Sequence, residues 1–143
     1  MPLLAVFLTL LGAVTATEKP ALVVAAPDCP VRLDHMSILT PFEGPPIALY
    51  EATNVTDAEL EQFTVIAFVF DAQGTLKARQ TAPGRRTLDA HGAKYSTLVL
   101  DGSPIAATDV IVIGVNQAQR AGSETWWRAD LQAAAVAAVR PKK

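Results

Sequence analysis

Within four consecutive positions, Asp34-His35-Met36-Ser37, the chain carries the three side-chain types of an acyl-transfer triad. Such a triad needs an imidazole within reach of the serine hydroxyl and a carboxylate behind the imidazole to orient it. In an extended strand His35 and Ser37 share a face about 6.6 Å apart along the chain, while Asp34 points to the opposite face and cannot orient the ring. No Gly-x-Ser-x-Gly elbow is present to lift a serine clear of a sheet. Metal chemistry fares no better. The only histidines are His35 and His91, and the single cysteine, Cys29, stands apart from both, short of the clustered nitrogen and sulfur ligands that zinc takes. Asp71-Ala72-Gln73-Gly74 lacks the alternating acidic ligands of a calcium loop, and no Gly-rich phosphate loop with a following Lys occurs. Asp57, Glu59 and Glu61 alternate as charges do on a solvated strand edge, where they repel edge pairing. No catalytic residue, metal ligand or cofactor is expected.

Binding potential concentrates at Trp126-Trp127. Adjacent residues of a strand point to opposite faces, so an extended segment sends one indole into a core and turns its neighbour out. The outward ring, together with Tyr95, offers a surface that stacks on an apolar ligand face or anchors a protein contact. The commoner outcome is that a helix following Asp130 covers the second indole. Trp126, Trp127 and Tyr95 are therefore the candidate binding residues. Asn54-Val55-Thr56 is a glycosylation acceptor sequence, and equally a turn in which Asn and Thr bond the backbone, the commoner outcome. Lone Cys29 excludes an intrachain disulfide; it leaves an interchain bond, a reactive site or inert burial as a small hydrophobe, of which burial is the most common.

The elements that must position these groups read as β-strands. Residues Met1 to Ala16 come first: apolar from Leu3 to Leu11, then Gly12 and the small-residue site Val14-Thr15-Ala16, the pattern of a secretory signal cut after Ala16. Pro2 stands where a basic residue usually sits, and Thr17-Glu18-Lys19-Pro20 ends the apolar run too early for a transmembrane anchor. The remainder suits one domain with its own core. A net charge of −2 with mixed signs gives no sustained positive field for nucleic acid, and the basic end Arg140-Pro141-Lys142-Lys143 reads as solvated.

After a polar linker at 17–20, short apolar runs alternate with Pro, Gly, Asn and Asp clusters at the spacing of an all-β domain over 21–128. Strands are predicted at Leu22 to Ala25, Val31 to Leu39, Ile47 to Thr53, Phe63 to Phe70, Thr75 to Thr81, Lys94 to Leu100 and Val110 to Gln117, with a last short one at Thr125 to Arg128. Asp71-Ala72-Gln73-Gly74 should close a hairpin, Asp opening the turn and Gly taking the left-handed position. Phe63, Val65 and Val69 on one face and Ile66, Phe68 and Phe70 on the other mark a central strand covered on both sides. A C-terminal helix or tail at 129–143, capped by Asp130 and carrying Leu131, Ala135, Ala138 and Val139 on one stripe, offers either that second cover or a contact surface for a partner. Arg85-Arg86 beside Gly84 reads as a turn.

Taken in order, Asn54-Val55-Thr56 at a strand end, Phe63 to Phe70 closing on Asp71-Ala72-Gln73-Gly74, and Leu88-Asp89-Ala90-His91-Gly92-Ala93 before the next strand resemble the small immunoglobulin-like β-sandwiches of bacterial cell-envelope proteins. The likeness is to the FxLYD type and covers Ile47 to Leu100, with Ala90-His91-Gly92 standing where that pattern has a Pro-Gly pair. It implies a non-catalytic module that supports contacts outside the membrane, and it brings no catalytic residues with it. The expectation is thus an exported (periplasmic or secreted) immunoglobulin-like β-sandwich of about seven antiparallel strands. It is expected to bind a protein partner, with a ligand such as a carbohydrate as the alternative, and to carry no membrane span once the signal is removed.

Overall fold

The computed structural model describes residues 17–82, 87–102, 104–122 and 124–140. In chain order the elements are β1 (Thr17–Pro20), β2 (Leu22–Val23), β3 (Val31–Thr40), β4 (Ile47–Asn54), β5 (Leu60–Phe70), β6 (Leu76–Thr81), β7 (Ala93–Val99), β8 (Val110–Arg120), β9 (Thr125–Trp127) and α1 (Leu131–Val139). The signal-like segment 1–16, the Arg85-Arg86 turn and the tail 141–143 lie outside the described residues.

Two sheets form a sandwich. One runs β1-β3-β4-β7; the other runs β2-β8-β5-β6, with β9 also on β8. Consecutive strands β4 and β5 lie in different sheets, β7 returns beside β4, and β8 returns beside β5. That Greek-key path is immunoglobulin-like, and the sandwich holds nine strands where about seven were expected. Two features depart from the expectation. The segment 17–20, read as a linker, is strand β1, paired antiparallel with β3 from Thr17↔Thr40 to Pro20↔Ser37. Its composition is polar because it is an edge held by backbone pairing, with Lys19 Nζ reaching the carbonyls of Ala106 and Ala107 at 3.1 Å, and Pro20 is tolerated there for the same reason. The second departure is β2, which pairs parallel with β8 through Leu22↔Val112 and Val23↔Ile113. The chain switches sheets at Ala21, so its first strands bridge the two layers.

β5 behaves as its two apolar faces demand. Phe63, Val65, Ala67 and Val69 join Ile38, Tyr50, Leu98, Ile111 and Ile113 between the sheets. Ile66, Phe68 and Phe70 face outward with Val112, where Leu131 and Ala135 of α1 cover them. Each large side chain removed from water in this way stabilises the fold by about 1.5–3 kcal/mol. The helix approaches closely because Gly114 has no side chain: a Cβ there would lie 2.5 Å from Leu131 Cδ1 and 3.1 Å from the Val24 carbonyl. Asp130 precedes the helix but does not cap it through its side chain; its Oδ1 instead accepts from Arg128 Nε at 3.3 Å. The predicted hairpin closes as read, with Asp71 Oδ1 accepting from the Gln73 and Thr75 N–H groups at 2.9 Å and Gly74 at φ 81°.

Candidate functional site

The residues that suggested chemistry do not assemble. β3 is irregular between Asp34 and Ser37, and His35 adopts φ 51°, so the regular alternation assumed for that string does not apply. Asp34 bonds Arg32 Nε at 2.7 Å and His35 is exposed. His91, also at positive φ, lies in an exposed turn with Nε2 against Asp57. Among the described residues no group of three or more His, Cys, Asp or Glu side chains could hold a metal ion.

Several polar side chains are occupied in building the fold. Asn54 is fully buried. Its amide donates to the carbonyls of Ala58, Leu88 and Asp89 at 2.7, 3.3 and 3.1 Å, while its Oδ1 accepts from the Thr56 N–H and hydroxyl at 3.0 and 2.7 Å. The acceptor sequence is therefore a turn whose Asn nitrogen is inaccessible to modification in the folded state. Asp109, buried immediately before β8, pairs with Lys77 and accepts from the Ala106 N–H at 2.7 Å. Burial by itself raises its pKa; the Lys77 hydrogen bond, the Ala106 N–H and the charges of Lys77 and Lys19 outweigh that and hold the carboxyl below its usual range.

The open site lies where β2 leaves β8 and β9 joins it. Val24 N–H still bonds the Ile113 carbonyl at 3.0 Å, and Arg128 N–H bonds that of Asn116 at 2.9 Å. Between these points a cavity of about 50 Å³ is lined by Val24, Cys29, Val31, Leu33, Val115 and Trp126. Trp126 packs partly against the inter-sheet core, and its indole N–H donates to Asp28 Oδ2 at 3.0 Å. Arg128, its side chain only 14 % exposed, donates through Nη1 to the Val24 carbonyl at 3.0 Å, which ties the 24–28 segment to β9. Burial pushes the Cys29 thiol up, so the thiol stays protonated near neutral pH and is a poor nucleophile.

Outside this seam Trp127 projects 62 % exposed into an open depression of about 430 Å³ bordered by Pro27, Asp28, Trp126, Arg128 and Asp130. Trp126 lies against the core and Trp127 outward, so the expected helical cover over the second indole is absent. α1 covers the outer face of β5 and leaves Trp127 open. Tyr95, 61 % exposed, is on β7 in the other sheet, opposite Glu51, whose negative charge raises the phenol pKa. Trp126 and Trp127 are brought together with Asp28 and Arg128; Tyr95 stands apart from them on the first sheet. The contributions of Asp28 and Val24 have no local signal, since they reach β9 residues 98 and 104 positions away.

Comparison of the chain with family models, with curated proteins and with solved structures returns no match. Among the described residues no helix is long and apolar enough to cross a membrane.

Proposed function

We propose that this protein is an exported, non-catalytic immunoglobulin-like module that holds a partner protein at the seam around Trp127. One observation carries the reading: a large apolar ring stands exposed on a short strand whose neighbouring indole is fixed by the core and by Asp28. Exposing so large a ring gives up the free energy of burying it, and anchoring such a ring beside a firm wall is how protein interfaces concentrate binding energy. The likeness to FxLYD-type envelope modules supports the same role. Export is supported by the apolar run Leu3 to Leu11 and the small-residue site ending at Ala16.

Both parts are open to test. Material recovered from the periplasm or medium should begin at Thr17 by mass spectrometry, and wild type should retain an envelope protein that Trp127→Ala loses at an unchanged thermal midpoint. Cytosolic material with intact Met1 would remove the export reading. A partner held equally well by Trp127→Ala would remove the seam as its binding surface.

A further inference from the structure

The geometry points to an arginine side chain, carried on an exposed segment of the partner, as the group that the Trp127 depression receives. This inference rests on the protein-contact reading and names the chemistry of that contact. Three observations carry it. First, the exposed Trp127 ring presents a π-face, which attracts a cation. Second, the rim offers carboxylate acceptors. Asp28 keeps one carboxylate oxygen beyond its bond from Trp126, and Asp130 has a side chain 73 % exposed. Arg128, the one cation on the rim among the described residues, is largely buried, with Nε turned to Asp130 and Nη1 to the Val24 carbonyl. Third, the charges do not cancel: Arg128 offsets Asp130, whereas Asp28 is in none of the ion pairs among the described residues.

A neutral sugar hydroxyl both donates and accepts and carries no charge, so the surplus negative charge of the rim gives it no added attraction. A guanidinium needs only acceptors, since it carries five N–H donors and no acceptor, and its plane stacks on an indole. The depression thus provides a stacking face and surplus negative charge, with the carboxylates of Asp28 and Asp130 on the same rim.

Calorimetric titration of the mature protein with a peptide of alternating Gly and Arg tests this, run beside its citrulline counterpart and a neutral disaccharide. The expected result is saturable binding of the arginine peptide alone, about five- to tenfold weaker for Asp28→Asn. Binding should be lost in Trp127→Ala at an unchanged thermal midpoint, and should weaken as salt is raised from about 50 to about 300 mM. A flat titration with the arginine peptide, equal binding of the citrulline peptide, binding retained by Trp127→Ala, or a response to the disaccharide alone would overturn it. If wild type still retains an envelope protein that Trp127→Ala loses while the arginine titration is flat, the arginine chemistry falls and the contact surface stands. If both are absent, both fall.

Discussion

The Asn54 corner and the β9 seam are both places where polar side chains meet distant backbone, yet they use those side chains differently. At the corner every polar atom of Asn54 is turned inward, and the amide joins the end of β4 to carbonyls at Ala58, Leu88 and Asp89. At the seam Asp28 and Arg128 fix Trp126 and the 24–28 segment, and the frame they build holds Trp127 out in solvent. Side chains consumed by the fold are poor candidates for recognition, however suggestive their sequence motif. Those left over beside a firm frame are better ones.

Substitutions sharpen this contrast, beginning with the largest effect. Asn54→Ala removes five hydrogen bonds at a buried point and leaves the Ala58, Leu88 and Asp89 carbonyls with one donor each, from Thr56, Leu60 and Gly92, so it should cost about 3 kcal/mol in denaturant titration. A change under about 0.5 kcal/mol would mean that the corner is not the structural pin described. Gly114→Ala forces a methyl against Leu131 and the Val24 carbonyl and should cost about 1–3 kcal/mol by overpacking, with a loss of helical signal in circular dichroism if α1 lifts from β8. Asp109→Asn should cost about 1–2 kcal/mol and should also alter the acid response. The folded-state pKa of Asp109 is depressed, so its contribution is complete above the unfolded carboxylate value of about 3.9 and is lost as pH falls through the lower folded value. Stability measured from about pH 5 down to about pH 2 should therefore fall less steeply in the variant. The smallest effect belongs to the seam's outer ring: Trp127→Ala should stay within about 0.5 kcal/mol of wild type, whereas Trp126→Ala, which loses core packing and the Asp28 bond, should cost about 1–3 kcal/mol. Equal losses for the two tryptophans would erase the distinction between frame and exposed anchor.

The strands were readable because burial on a pleated surface leaves a period of two. Phe63, Val65 and Val69 do face the other sheet, and Ile66, Phe68 and Phe70 do face α1. Strand β1 escaped notice because Thr17-Glu18-Lys19-Pro20 has no apolar alternation; its place comes from ladder bonds to β3 that any side chains permit. The bulge at Asp34 to Ser37 was equally invisible, since no glycine marks it and His35 takes the positive φ itself. At the site, the alternation of Trp126 and Trp127 was legible from adjacency alone. Their frame was not, because Asp28 and Val24 meet β9 only through the closure of the whole sandwich.

The early switch of the chain between layers governs the order in which the molecule can be completed. Leu22 and Val23 precede their partners Val112 and Ile113 by about ninety residues, so this parallel pairing spans nearly the whole sandwich. Strand β2 must wait unpaired until β8 is in place, which makes this pairing a late step in closing the two layers.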